Sequence, residues 1–288
     1  MTGPGAGESW RWDPSLYAGA AAHYVRGRTP YPRELADRLA DELGLDGTGR
    51  LLDLGCGPGS LTLLLAPLFA EAVGLDADAD MLTAGRAAAR AAGVENVAWV
   101  HRRAEDLGSD LGVLDVVTLA QSFHWMRRDE VAALAHDALR PGGTLAHVHA
   151  TTHEGVRDAD APLPHPRPPR DEVDRLVARY LGPRPRAGRG TRDRPSPEAE
   201  RGAEEAVLYR AAGFDGPTGF EVPGRVVVRT VDEVASSVFS LSYAAPHLFG
   251  DRLAAFDRDL RARLHEAAGA DGLFSERLRE IRVDLWRR

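Results

Sequence analysis

The period of the apolar positions changes several times along the chain, and each change marks an element. Residues 51–54 are an apolar run broken by one acid, Asp53, which is the pattern of a buried strand. Gly55, Gly57 and Gly59 follow at a spacing that makes a tight turn and lets backbone come close to a ligand. From Ser60 onward Leu61, Leu64, Leu65 and Leu68 recur at helical spacing. Upstream, Leu35, Leu39 and Leu43 predict a helix over 33–43 that stops at Gly44. Downstream, strands at 72–75, 97–100, 113–120 and 144–150 alternate with a helix opening at Met81 and another over 129–139, ended by Leu139-Arg140-Pro141-Gly142-Gly143. Alternating strands and helices predict an α/β fold with a doubly wound, mostly parallel sheet.

After residue 150 the pattern changes. Residues 154–200 are rich in proline and arginine, with one amphipathic helix between Asp171 and Leu181 that carries Val173, Leu176, Val177 and Tyr180. A helix over 198–212 ends at Gly213. Two strands, 214–222 and 225–230, are expected to form a hairpin across Pro223-Gly224, the antiparallel final pair of a seven-stranded sheet. Helices are predicted over 231–243, 246–268 and 275–286. The chain thus divides into a lid and ligand-binding core (1–150), an insertion and helix suited to covering a substrate (151–212), and a final strand pair with C-terminal helices (213–288).

Composition narrows the chemistry. All 36 basic residues are arginine, so a Walker A lysine and a Schiff-base lysine are both absent. The single cysteine, Cys56, rules out an intramolecular disulfide and fits a reducing cytoplasm. No apolar run approaches the length of a membrane span, and the first residues lack a signal-peptide pattern. The formal net charge of -7 and the lack of aromatics among Arg184, Arg186, Arg189, Arg192 and Arg194 argue against nucleic acid as the partner.

Asp53 selects the ligand of the glycine turn. A nicotinamide or flavin fingerprint reads G-x-G-x-x-G/A, and here its third position is Ser60. A carboxylate beside a pyrophosphate at a helix N-terminus would also repel it. An acid at the strand end suits a ligand with positive charge, such as the ammonium and sulfonium of S-adenosylmethionine. Asp76, about 20 residues past the turn, is placed to accept hydrogen bonds from both ribose hydroxyls.

The run D-L-G-C-G-P-G-S resembles motif I of the class I S-adenosylmethionine-dependent methyltransferases, and L-R-P-G-G before the fifth strand is a second match. The segment A-Q-S-F-H-W resembles the small-molecule branch of that family, because the [N/D/S]-P-P-[Y/F/W] segment of nucleic-acid amino methyltransferases is missing. A tyrosine followed by R-x-P-Y-P is similar to the lead-in of trans-aconitate methyltransferase-like and ubiquinone-biosynthesis-type enzymes. The resemblance implies a cofactor site built from Asp53, Gly55, Gly57, Gly59, Asp76, Ala77, Met81, Ala104, Glu105 and Gln121, with Tyr17 and Tyr24 as cover and Arg28 on the cofactor carboxylate. Arg103 stands where the family commonly has an Asp.

It implies methyl transfer to a small-molecule acceptor, with a cyclase or binding module of the same fold as the alternative. His124, at the sheet edge beside Trp125, suits either a general base or a ring that only packs. His147, His149 and His153 have the spacing of one strand face, but no cysteine or carboxylate cluster in the sequence backs them, so no metal is expected. Ser236, Ser237, Phe239, Ser240, Ser242 and Tyr243 crowd one segment, suited to a pocket wall or a helix contact.

Overall fold

Strands that are apolar on both faces can be buried on both, and five of them form the centre of the molecule. The computed structural model describes residues 13–157, 162–183, 186–187, 190–191 and 198–288; Trp12 and Arg184, Arg189, Arg192 and Arg194 of the arginine run lie outside them. β1 (Arg50–Leu54), β2 (Glu71–Asp76), β3 (Val97–His101), β4 (Leu114–Ala120) and β5 (Leu139–His149) lie parallel in the order β3-β2-β1-β4-β5. Alternate side chains go to opposite layers. Leu51 and Val116 enter one side of the sheet core with Leu35 and Leu39 of α2 (Arg33–Leu43) and Leu61 and Leu65 of α3 (Ser60–Leu65). Leu52, Leu54, Val117 and Leu119 enter the other, against Val131 and Ala135 of α5 (Arg128–Ala138). Between them in sequence, α4 (Ala79–Ala92) starts with Asp78 as N-cap, its carboxylate accepting from the N–H groups of Asp80 and Met81.

Beyond β5 come α6 (Arg170–Leu181), a two-residue pair β6 and β7 (Arg186–Ala187, Gly190–Thr191), α7 (Glu198–Ala211), β8 (Asp215–Val222), β9 (Val226–Thr230), α8 (Val231–Phe239), α9 (Leu253–Ala267), β10 (Leu273–Arg277) and β11 (Ile281–Arg287). The sheet is seven-stranded, β3-β2-β1-β4-β5-β11-β8, and its last two strands are antiparallel as expected. The partners differ from the predicted hairpin. β8 pairs with β11, and β9 turns away to pair with β10 in a separate ribbon. The predicted helix over 275–286 is instead the end of β10 followed by β11, because Ile281, Val283 and Leu285 recur at period two. The predicted 246–268 helix begins as a 3-10 segment broken at Gly250 (φ 51°, ψ -133°) and is regular only from Leu253. L-R-P-G-G forms the start of β5, and α5 ends on an extended Leu139 without a glycine cap.

A second core lies beside the sheet. Val173, Leu176 and Val177 of α6 pack with Val234 and Phe239 of α8, Phe256 and Leu260 of α9, and Phe274 of β10. The N-terminal arm joins the two cores through α1 (Ala21–Gly27), which crosses α8 so closely that a Cβ at Gly27 would stand 2.3 Å from the backbone of Ser236 and Ser237. A buried charge cluster holds the same junction. Glu276 bridges Arg170 (2.9 Å) and Arg229 (3.0 Å), and Arg229 also donates to the carbonyls of Gly27, His153 and Glu233. Among the described residues no helix is long and apolar enough to cross a membrane.

Candidate functional site

The sheet order reverses between β1 and β4, and a crevice opens at their carboxyl ends as it does in other doubly wound sheets. The glycine turn after β1 forms one wall. The N–H groups of Gly55 and Cys56 donate to the Leu75 carbonyl (2.8 and 3.1 Å), tying the turn to β2. Gly57 has φ +55°, and nothing stands within 4 Å of where its Cβ would be, so the backbone here faces open space. Asp76 closes the end of β2. One of its oxygens accepts from Gly57 N (2.7 Å) and the other from Asp78 N (2.8 Å). Burial nonetheless raises its pKa to about 6, against the effect of those donors.

The crevice is a partly open chamber whose walls come from several elements. Gly55, Gly57, Asp76 and Ala77 line it from the β1 and β2 ends, Met81 from α4, and Ala104 and Glu105 from the loop after β3. Gln121 lines it from the end of β4, and Tyr17 and Tyr24 cover it from the N-terminal arm. Tyr17 meets Trp125 edge-on at 6.2 Å, which closes the arm over the sheet edge. Glu105 reaches this wall with its carboxylate engaged: it accepts from Arg127 N (2.9 Å) and from Arg103 Nε (3.2 Å). Gln121 has φ +58°, the one non-glycine positive φ among the described residues, and such strain concentrates at functional sites.

Three of the expected residues lie elsewhere. Asp53 is 1% exposed and lies behind the turn, where it accepts from Thr62 Oγ1 (2.5 Å) and Thr118 Oγ1 (2.8 Å) and so clamps α3 and β4 to β1. Burial, with repulsion from Asp76 added, lifts its pKa to about 6 despite those two hydroxyls. It is a support of the turn, not part of the chamber wall. Gly59 faces Trp99, which a Cβ there would approach to 2.4 Å. Arg28 donates to Ser240 Oγ (2.8 Å) and Ser240 O (3.0 Å), stacks on Tyr24 at 4.5 Å, and borders a second chamber.

That second chamber adjoins the first, with Tyr17, Tyr24, Gln121, Ser122 and Trp125 lining both. It is polar, lined by Arg28, His124, His147, His149, His153, Glu205, Ser242 and Tyr243. Within the serine-rich segment, Ser242 and Tyr243 thus border a pocket, while Ser236 and Ser237 are buried at the contact with α1. His124 is exposed to the chamber with its ring 4.7 Å from that of Trp125. His147 is buried behind the chamber surface, 5% exposed, and that burial holds it well below the ordinary imidazole range. Trp125 and Met126, in the segment after the fourth strand, are further walls of the first chamber. Sequence reasoning had no means of finding Glu205, which reaches β5 from a helix more than fifty residues later.

Residues 51–143 match the family model described as "Methyltransferase domain". An uncharacterized methyltransferase of Mycobacterium tuberculosis is 36% identical over 145 residues, which are 50% of this chain and 56% of that protein. Trans-aconitate 2-methyltransferase of the same species is 29% identical over 180 residues, 60% of this chain and 63% of the relative. The chain therefore spans somewhat over half the length of these relatives. Among solved structures, the [4+2]-cyclase SpnF superposes with a TM-score of 0.51 over 96% of this chain and 91% of that one at 19% identity, a likeness of fold alone. Residues 51–143 of the chain thus carry a methyltransferase domain.

Proposed function

We propose that this chain, built on that domain, transfers the methyl group of S-adenosylmethionine to a small-molecule acceptor. The observation that carries the reading is the pair of adjoining chambers, one at the glycine turn and one polar, both lined by Gln121, Ser122 and Trp125. The first chamber fits the cofactor. Asp76 offers a carboxylate to a vicinal diol, and Leu75, Met81 and Ala104 supply apolar surface for a purine. The open space at Gly57 admits a ligand against backbone. When bound there, the sulfonium supplies an electrophilic methyl group.

The protein's own contribution is placement. Tyr17, Tyr24 and Trp125 exclude water where the chambers meet, and orientation of two bound reactants is worth roughly 7–11 kcal/mol. His124, facing the acceptor chamber, is placed to take a proton from an acceptor hydroxyl or acidic carbon. Biosynthetic use of the product and a cytoplasmic setting belong to the same proposal.

The test is to incubate the protein with methyl-labelled S-adenosylmethionine and a fractionated small-metabolite extract. Label should move into a small-molecule fraction with release of S-adenosylhomocysteine. Cofactor that binds but keeps all its label would overturn methyl transfer and favour the non-transferring role that the cyclase's shared fold makes available.

A further inference from the structure

Three side chains from two elements converge on one wall of the polar chamber: His147 and His149 on β5, and Glu205 on α7. One nitrogen of each imidazole and one Glu205 oxygen all lie within 4.8 Å of one another. The two rings share a strand face, their centroids 4.2 Å apart. Glu205 is thus the carboxylate that the local sequence around the histidines lacks.

Each imidazole also has a partner outside the trio. The Tyr209 hydroxyl is 3.0 Å from His147 Nδ1, and Asp284 Oδ2 is 3.1 Å from His149 Nε2. A hydroxyl or carboxylate on one ring nitrogen fixes the ring's orientation and tautomer, as the outer partners of histidine metal ligands do. Tyr209 is fully buried and stacked on Phe123 at 5.2 Å, so this outer layer is itself rigid.

We propose that His147, His149 and Glu205 form a binding site for one divalent first-row transition ion, such as zinc or manganese, open to the acceptor chamber. Two imidazoles and one carboxylate suit these ions, whereas magnesium and calcium favour all-oxygen sets. Three protein ligands leave coordination positions for water or for an oxygen of a bound molecule. An acceptor hydroxyl on such an ion loses its proton more readily. That consequence rests on the methyl-transfer reading, while the site itself does not.

The probe is Co²⁺, added to the chelator-treated full-length chain and followed by visible absorption and by metal bound per chain. One equivalent should bind, and Zn²⁺ should displace it. Glu205→Gln and His149→Ala should each weaken binding at least about tenfold, while His265→Ala, an exposed imidazole on α9, should leave it unaltered. Circular dichroism melts separate lost binding from lost folding, and if His149→Ala does not fold, the near-isosteric Glu205→Gln decides. Failure of the wild-type chain to bind stoichiometric Co²⁺ would overturn the site, as would equal retention of Co²⁺ by folded Glu205→Gln. Neither result depends on whether methyl transfer is observed.

Discussion

At Gly57 the backbone takes φ +55° with open space where a side chain would stand, and the same residue donates its N–H to Asp76. Gly57→Val puts a branched side chain into that space at a dihedral it disfavours. S-adenosylmethionine binding should become undetectable by calorimetry while circular dichroism still reports a folded protein. Asp76→Ala should weaken the cofactor roughly tenfold or more, the loss of one or two hydrogen bonds to a charged acceptor. Because burial places the Asp76 pKa at about 6, the ionised acceptor is lost below that pH. Affinity should be flat from neutral pH upward and fall below about pH 6 to a plateau set by the loss seen in Asp76→Ala.

Asp53 gives a separate readout, since it supports the fold and does not border the chamber. Its folded pKa, about 6, lies above the ordinary carboxyl value of 3.8. Its contribution to stability is therefore complete below the unfolded value and disappears as pH rises through about 6. The cofactor-free protein should thus lose part of its thermal stability between about pH 4 and 6, and Asp53→Asn should flatten that loss. An unchanged pH dependence in folded Asp53→Asn would assign the titration to other groups.

Among the elements, those around the glycine turn were legible because the local pattern and the tertiary role agree there. β1 to β4 and α2 follow directly from apolar runs and helical spacing. Agreement fails where pairing is decided at long range. The strands 215–222 and 226–230 are adjacent in sequence, yet β8 places Phe220 and Val222 in the sheet core while β9 pairs with β10, whose Phe274 lies in the second core. The distribution of site residues failed in a similar way. The motif indicates that Asp53 matters, but only the packing of Thr62 and Thr118 shows that it holds the turn from behind.

The Glu276 cluster is an element-level joint between β10, β9, α6 and the arm. Glu276 and Arg229 side chains are each 5% exposed, so removing the acid strands two buried guanidinium groups. Glu276→Ala should cost about 3–5 kcal/mol in chemical denaturation. A loss below 1 kcal/mol, about that of an ordinary surface pair, would mean the joint is held by the apolar contacts of α6, α8 and α9 instead.

In the whole molecule, the parallel sheet provides the first chamber, and the N-terminal arm and second core enclose the other. His124 belongs to this joint arrangement, facing the second chamber from the end of β4. If the acceptor must lose a proton, His124→Ala should slow turnover by about 10²–10⁴-fold with cofactor affinity changed by no more than a few-fold. A near-normal rate would reduce His124 to shaping the wall.

All of this depends on what the first chamber holds, and a calorimetric titration of the wild-type chain with S-adenosylmethionine addresses that directly. One site per chain should appear, and it should disappear with Gly57→Val. Absence of binding to the folded wild-type chain, or equal binding by folded Gly57→Val, would contradict the account.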